Sequence, residues 1–376
     1  MDVVASQVKV APSLTDTIKS RQLGVLGCSG LTKRIPTIDD VATLAGVGRT
    51  TVSRVLNNGP NVRPEVRNRV QLAVSKLGYK VNVQARNLAG GTSRQIALVH
   101  ASDLDTEPNS YYHSGLELGA LRGCAELGYQ LVTHTVNQND PSALQRIVEL
   151  IDQKRCDGII LTPPFSDNVS LVKQIKAKGC PVVSVSGGGP VRQLTSTVGI
   201  DDVRAGDEMA QYLIGLGHRR FGFIKGLSGH VSAEGRFDGF ERALKAAGID
   251  IATAAVERGN FTFRSGIECA QQILDRSNPP TALVCANDDM AAGALLTIHK
   301  MGLKIPEEIS VTGFDDTPVS EIVWPPLTTV HQPIKAIGRS AVELVVAAIS
   351  GAVGVAEHRH ENIAFRLVVR DSTAPA

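Results

Sequence analysis

The sequence predicts an α/β protein in two parts, a small all-α headpiece near the N-terminus and a two-lobed core built on parallel sheets. Three observations predict this fold class. Residues 37–77 show apolar side chains at helical spacing, and short apolar strands alternate with amphipathic helices from residue 94 onward. The 376-residue chain leaves about 280 residues for the core, which is long for a single sheet and therefore favours two lobes.

The headpiece begins with a capping-box pattern. Thr37 is followed three residues later by Asp40, so the hydroxyl and the carboxylate can each satisfy an amide left unpaired at a helix start. Apolar residues follow at helical spacing, and Gly46 can adopt the left-handed conformation that ends a helix. The pattern predicts a first helix between these residues.

The next predicted helix, residues 49–57, has one polar side and one apolar side. A turn of about 100° per residue gathers Val52, Val55 and Leu56 on one side and places five polar residues on an opposite arc of roughly 140°. Those five are Arg49, Thr50, Ser53, Arg54 and Asn57. A glycine-containing turn joining two such helices is typical of the helix-turn-helix that enters a DNA major groove. From this pattern alone, an ordinary pair of surface helices is the alternative.

The composition divides the chain into four segments. We expect residues 1–35 to be a disordered extension, 36–81 the headpiece, completed by a third helix from Pro64 to Gly78, 82–92 a link, and 93–376 the core. Residues 37–90 carry eight Lys/Arg against three Asp/Glu, whereas 91–376 carry 26 against 32, although the whole chain is only +2. The basic part is the part expected to contact nucleic acid.

A longer run carries a family resemblance. VATLAGVGRTTVSRVLNNGPNVRPEVRNRVQLAVSKLGYKVNVQARNLAGG resembles the DNA-binding headpiece of the LacI/GalR family of bacterial transcription repressors, and the rest resembles that family's periplasmic-binding-protein-like core. The likeness covers about residues 35–370. It implies that Arg49, Thr50 and Arg54 face base edges, while phosphates are contacted by Thr37, Thr51, Ser53 and Asn57. Arginine pairs with guanine, and hydroxyls and amides suit phosphate oxygens.

The resemblance also gives the link a role. It implies a hinge helix over 82–90 whose Leu88 wedges into the minor groove and bends the duplex. A helix of about nine residues is marginal alone in water, so we expect it to form only with a partner hinge and DNA present. A flexible linker is the alternative. The chain departs from the family at Gly48, which stands where Ser usually caps the reading helix, and at Val81, where Pro is usual.

The core pattern predicts strands at 96–101, 130–136, 158–161, 181–185, 221–225, 281–286 and 309–314. Ligands of open parallel sheets lie beyond the carboxyl ends of the strands. The resemblance implies effector-binding side chains in the loops that follow: Tyr111, Tyr112, Ser186, Arg236, Phe261, Asn287, Asp315 and Gln332. An arginine fork, an amide and a carboxylate can hold sugar hydroxyls, and Phe261 could stack on a sugar face. For each residue, capping or packing is the alternative role, and Ser186 stands where the family usually has Asp.

The resemblance further implies three chain crossings between the lobes, near Gly189, Ile322 and Ser350. The expected N-lobe is therefore about 93–190 and 323–350, and the expected C-lobe about 191–322 and 351–376.

Several protein classes are disfavoured by composition and motifs. Six scattered cysteines with no CxxC pair argue against a disulfide or zinc framework and fit a reducing cytoplasm, and no segment approaches 18 uninterrupted apolar residues. The P-loop, GxSxG and HExxH patterns do not occur. The paired aspartates of CANDDM and GFDDTP are interpreted as loop and helix-cap groups rather than acid–base groups. We predict no enzyme activity, no cofactor and no metal site.

The predicted function is a cytoplasmic repressor of carbohydrate-utilisation genes. It would bind a near-palindromic double-stranded operator as a homodimer, because no leucine heptads follow Val369 to build a tetramer. A sugar-like effector between the lobes would control DNA affinity, with an inducer expected and a corepressor as the alternative. The alternative function, an exported sugar-binding protein of a transport system, is disfavoured because no signal peptide precedes the headpiece.

Overall fold

A computed structural model describes residues 36–56, 59–79, 93–101, 110–351 and 358–376, which belong to two compact units, the headpiece and the core. The predicted extension 1–35 lies outside the described residues. So do the predicted hinge with Leu88, and Asn57.

The headpiece consists of α1 (Ile38–Ala45), α2 (Arg49–Leu56) and α3 (Pro64–Leu77). The predicted capping box is present: the Thr37 amide donates to Asp40 Oδ2 at 2.7 Å, and the Asp40 amide donates to Thr37 Oγ1 at 3.4 Å. Gly46 ends α1 with a φ of 64°, a left-handed conformation that glycine adopts without strain. The headpiece core is small and aliphatic, and its buried members are Val41, Ala42, Ala45, Val52, Val55, Val70 and Ala73.

The N-lobe of the core is a six-stranded parallel sheet in the order β11-β5-β4-β3-β1-β2. Its strands are β1 (Gln95–Ala101), β2 (Gln130–Val136), β3 (Gly158–Leu161), β4 (Val182–Val185), β5 (Ser196–Gly199) and β11 (His360–Asn362). Its helices are α4 (Tyr111–Leu127), α5 (Ala143–Asp152), α6 (Val169–Ala177) and α12 (Ile334–Ile349). Strands β3 and β4 are buried along their whole length, as expected where helices cover both faces of a sheet.

The C-lobe is a four-stranded parallel sheet, β7-β6-β8-β9, beside a two-stranded antiparallel ribbon of β10 and β12. Its strands are β6 (Phe221–Lys225), β7 (Ala255–Arg258), β8 (Ala282–Cys285), β9 (Ser310–Thr312), β10 (Thr329–His331) and β12 (Arg366–Val368). The helices are α7 (Asp202–Gly215), α8 (Val231–Ala246), α9 (Phe263–Leu274), α10 (Asp288–Lys300) and α11 (Val319–Ile322).

All three crossings between the lobes lie later in the chain than predicted. Strand β5 pairs with β4, so the chain stays in the N-lobe until Gly199 rather than Gly189. Strand β10 pairs with β12 in the C-lobe, so the second crossing follows His331 rather than Ile322. Strand β11 pairs with β5, so the third follows Asn362 rather than Ser350. The predicted lobe boundaries were wrong because these strands have only three or four residues, too few to show a clear apolar pattern.

The cysteines and the helices of the described residues bear on the disulfide-bonded and membrane-spanning classes that the sequence disfavours. The cysteines there, from Cys124 to Cys285, are buried free thiols. Within the same residues, no helix combines the length and the apolar character needed to cross a lipid bilayer.

Candidate functional site

Helix α2 has the two sides that the sequence predicted. Val52 and Val55 are buried in the headpiece core, whereas Arg49, Thr50 and Arg54 are exposed on the opposite side. The Gly48 carbonyl accepts the amides of Thr51 at 2.9 Å and Val52 at 3.2 Å, so glycine starts the helix as expected. The exposed side can donate hydrogen bonds to a ligand without disturbing the core.

The expected phosphate-contacting residues border this exposed side. Thr37 is exposed, and Thr51 and Ser53 are half-buried. Arg49 Nη1 lies 3.7 Å from Asp39 Oδ2, with both side chains about two-thirds exposed (66% and 65%). An exposed pair of this kind contributes little to stability, so the guanidinium can exchange its partner for a nucleic acid at low cost.

A cavity of about 820 Å³ lies between the lobes of the core. Its walls are the loops at the carboxyl ends of β1, β2 and β3 in the N-lobe and of β6, β7, β8 and β9 in the C-lobe, together with the N-terminal parts of the helices that follow several of them. Six of the eight predicted effector residues line it, and these are Tyr111, Tyr112, Arg236, Phe261, Asn287 and Asp315. Chain segments far apart in sequence thus converge at the position expected for parallel sheets.

Arg236 is the fixed cation of this cavity. Its Nε donates to Asp202 Oδ1 at 2.9 Å, its Nη1 donates to the Ala286 carbonyl at 2.6 Å, and its guanidinium carbon lies 3.7 Å from the centre of the Phe314 ring. Both side chains of this pair are buried, with 11% of the Asp202 side chain and 8% of the Arg236 side chain exposed. Because α7 and α8 approach closely at Gly206, where a Cβ would lie 2.0 Å from the Arg236 carbonyl oxygen, the arginine is also held through its backbone.

Asp315 provides a second carboxylate beside the same guanidinium. Its Oδ1 lies 3.8 Å from Arg236 Nη1 and accepts a hydrogen bond from Gln332 Nε2 at 2.6 Å. Burial raises the pKa of Asp315 to about 7, against the opposing effect of Arg236. Near neutral pH this group can therefore present either a carboxylate or a carboxylic acid to a ligand.

Phe261 forms the aromatic side of the cavity. Asn287 holds its backbone, because Asn287 Nδ2 donates to the Phe261 carbonyl at 2.9 Å while Oδ1 caps α10 by accepting the Met290 amide at 3.0 Å. The His230 ring lies 4.8 Å from the Phe261 ring, centre to centre. The capping role that was the alternative for Asn287 is thus present together with its place in the cavity wall.

Two predicted effector residues do not line the cavity. Gln332 is buried behind Asp315 and positions it. Ser186 hydrogen-bonds the Tyr112 hydroxyl, whose pKa is raised mainly by burial. Gln332 therefore contacts Asp315, and Ser186 contacts Tyr112, rather than the cavity itself. They belong to the layer that supports the site.

One aspartate of each pair, Asp288 and Asp316, has a structural role as the sequence suggested. Asp288 accepts from the Thr329 hydroxyl at 2.7 Å and from the Thr317 amide at 2.8 Å, and burial raises its pKa well above the ordinary value. Asp316 accepts from Arg370 Nη2 at 2.6 Å and is paired with His331 Nδ1 at 2.8 Å. These bonds hold the loops after β8 and β9 in place.

Sequence reasoning missed two histidines and one carboxylate of the site. His113 and His230 line the cavity, and burial lowers the pKa of each to about 3, so both rings are neutral donors and acceptors at physiological pH. Asp202 was missed although it pairs with Arg236. The only available signal was proximity in sequence, since His113 follows the predicted Tyr112 and His230 directly precedes the helix that carries Arg236.

The arrangement suits a neutral, hydroxyl-rich ligand with an apolar face. Aromatic rings of Phe261, Tyr111 and Tyr112 supply stacking surface, and amide, carboxyl and imidazole groups supply directional hydrogen bonds. Arg236 is already paired with Asp202 at 2.9 Å, and Asp315 lies 3.8 Å from it. Within the described residues, no group of three or more His, Cys, Asp or Glu side chains could hold a metal ion.

Comparison with known proteins gives matches along most of the chain. Residues 37–82 match the model of bacterial regulatory proteins of the lacI family, and residues 210–373 match a periplasmic binding protein-like domain. The HTH-type transcriptional regulator CelR of Thermobifida fusca is 35% identical over 85% of this chain and 93% of its own length. DegA of Bacillus subtilis, also an HTH-type transcriptional regulator, is 36% identical over 80% and 88%.

Solved structures of transcription regulators are also similar to this chain. The complex of transcriptional regulator CelR with cellobiose has a TM-score of 0.68 at 33% identity, covering 90% of this chain and 99% of that one. The lac repressor dimer bound to operator and the anti-inducer ONPF has a TM-score of 0.75 at 28% identity with the same coverage. These relatives are transcription regulators by name.

Proposed function

Because the chain belongs to the lacI family of bacterial regulatory proteins, we propose that it is a transcription repressor whose affinity for operator DNA is controlled by a sugar bound between the core lobes. As a member of that family it is a DNA-binding regulator, not an enzyme. The observation that carries the proposal is the cavity at the carboxyl ends of both sheets, lined by six of the side chains assigned to the effector.

The headpiece would read DNA through α2. We assign base contacts to Arg49, Thr50 and Arg54, which are exposed on one side of a helix whose other side is buried. Phosphate contacts are assigned to Thr37, Thr51, Ser53 and Asn57. Leu88 keeps its assignment as the minor-groove wedge of a hinge over 82–92.

We propose a neutral disaccharide as the effector class. The cavity of about 820 Å³ lies in the upper part of the range for ligand sites, roughly 300–1,000 Å³, and has room for more than one sugar ring. An anionic sugar is disfavoured because Asp202 already pairs with Arg236 and Asp315 places a second carboxyl group beside it. The solved complex of CelR contains cellobiose, which makes that disaccharide the first probe to test.

The effector would act by changing the balance between two arrangements of the lobes. A ligand shifts such a balance only by its differential affinity for the two states, so a sugar that prefers the arrangement with lower DNA affinity acts as an inducer. We propose a homodimer, as in the lac repressor complex, because two-fold symmetry presents two α2 helices to a near-palindromic site.

Two measurements test the proposal. Gel shifts at physiological salt should show a preference of at least about 10³ for one palindromic site with a CG centre over a scrambled duplex. Cellobiose should raise the melting temperature of the full chain by mass action, and Phe261→Ala should lose that shift while still binding DNA. Equal affinity for all duplexes would refute the DNA-reading role, and a screen of mono- and disaccharides without any shift would refute the sugar.

A further inference from the structure

One carboxylate joins the two lobes at the edge of the cleft. Asp167 ends a short 3₁₀ turn, Phe165–Asp167, that follows β3 in the N-lobe. Its Oδ1 accepts the Gly188 amide of the same lobe at 3.1 Å, and its Oδ2 accepts the Val231 amide of the C-lobe at 3.3 Å. The carboxylate therefore links the N-lobe to the first residue of α8.

Helix α8 receives from Asp167 the cap that its own sequence does not provide. The residue at its N-cap position is His230, whose side chain makes no capping hydrogen bond to the helix. A carboxylate at a helix N-terminus is favoured by the unpaired amides and by the helix dipole. The cap of this 16-residue helix thus comes from the opposite lobe.

The lobes also touch directly at this point. A Cβ added at Gly188 would lie 2.4 Å from Val231 Cγ1, so the glycine gives the valine room across the cleft. The contact lies at the rim, where Val231 is 40% exposed. Burial nevertheless raises the pKa of Asp167 to about 6, while its two amide partners lower that pKa.

The same helix carries cavity residues. His230, Ser232 and Arg236 line the cavity from the start of α8. Anything that holds this helix end against the N-lobe therefore also holds these three residues in place opposite the N-lobe wall of the cavity.

We propose that Asp167 is a positioning residue that holds the lobes together by capping α8 across the cleft, and that it thereby sets the affinity of the effector. This inference rests on the proposed function for the part that concerns the effector. When the arrangement that binds ligand is less populated, apparent affinity falls in proportion.

The ligand-free part of the test is hydrogen exchange on the full chain. In Asp167→Ala, amides of the cavity-lining segments 110–113 and 260–264 should exchange faster, although the hydrogen bonds of Asp167 reach neither segment. Asp167→Asn keeps an acceptor but loses the charge, so its exchange rates in these segments should lie between those of Asp167→Ala and those of the natural protein. The control is Asp250→Ala, which removes a carboxylate cap on Ala252 within the C-lobe alone. Faster exchange confined to 166–168 and 229–233 would overturn the proposal.

A compensating pair tests the contact from its other side. Gly188→Ala should open the lobes in the same assay, because its Cβ meets Val231 Cγ1. Adding Val231→Ala should restore the protection of these amides from exchange, since the new Cβ at position 188 would then lie 3.4 Å from the Cβ at position 231, an ordinary contact distance. Failure of the second substitution to restore protection would count against a contact between the lobes.

The effector part uses cellobiose as the probe. Asp167→Ala should need about fivefold more cellobiose than the natural protein for the same protection of 260–264, and Asp250→Ala should need no more. An unchanged requirement in Asp167→Ala would overturn the link to the effector. If cellobiose protects no variant, including the natural protein, the sugar assignment fails while the ligand-free exchange still decides the role of Asp167.

Discussion

The ring of Phe261 lies where a side chain on Gly226 would have to be. A Cβ built on Gly226 would be 2.1 Å from Phe261 Cζ, and Phe261 itself has a left-handed φ of 68°. Such a backbone conformation is strained for a residue with a side chain, and it is retained because the surroundings hold it. The glycine after β6 thus decides where the aromatic wall of the cavity stands.

We therefore expect Gly226→Ala to displace the Phe261 ring and to abolish the melting shift caused by cellobiose. Gly215→Ala is the matched control, because no atom lies within 4 Å of the Cβ position there. Differential scanning fluorimetry with and without the sugar makes the comparison. An undiminished shift in Gly226→Ala would mean that the ring does not contact the ligand.

Arg54→Ala should weaken binding to the preferred operator by about 1–3 kcal/mol and relax discrimination at one base position, because a bidentate contact to a base is lost. The control is Arg69→Ala, which removes the same charge from an exposed position on α3. Gel shifts against operators substituted at single positions measure both effects. Equal and sequence-independent losses in the two variants would assign Arg54 to phosphate rather than to a base.

Arg236→Met should lower the free energy of unfolding of the core by about 3–5 kcal/mol, because it leaves Asp202 buried without its partner. Replacing the pair together, as Arg236→Met with Asp202→Leu, should recover part of that loss. Urea unfolding followed by circular dichroism gives both values. Equal losses in the single and double variants would show that the ion pair itself contributes nothing.

His100→Leu should stabilise the core more at pH 5 than at pH 7. His100 is 4% exposed, neither ring nitrogen has a hydrogen-bond partner among the described residues, and burial lowers its pKa from 6.5 to about 4. Between those pH values the unfolded chain binds a proton that the folded chain does not. Its contribution to stability is therefore lost as the pH falls below about 6.5.

The free energy of unfolding of the leucine variant, measured relative to that of the natural protein, should rise by about 2 kcal/mol on going from pH 7 to pH 5. Urea unfolding of both proteins at both pH values tests this difference, in which contributions from groups that do not interact with His100 cancel. If the free energies of unfolding of the two proteins differ by the same amount at pH 7 and pH 5, the imidazole is not kept neutral by burial.

The headpiece could be predicted almost completely from the sequence because its signals are local. Thr37 and Asp40 are three residues apart, Gly46 ends α1 by its own backbone conformation, and the two sides of α2 follow from helical periodicity within eight residues. The loops that carry the cavity could also be placed, since parallel sheets bind ligands at the carboxyl ends of their strands.

The same reasoning could not separate residues of the cavity wall from those behind it. Gln332 and Ser186 follow strands as Asp315 and Tyr112 do, and only the packing decides that the latter two reach the cavity. His230 was missed because nothing in its neighbourhood distinguishes a buried cavity histidine from a surface one.

The sequence by itself determined the secondary structure of the headpiece, the longer core strands, the family and the loops of the effector site, since these depend on short-range patterns. Only the tertiary structure decided where the chain crosses between lobes, which side chains line the cavity, and that Asp167 caps a helix 64 residues away in the opposite lobe. The reason is physical: three-residue strands and caps supplied from another lobe gain their stability from neighbours distant in the chain, and no local pattern records those neighbours.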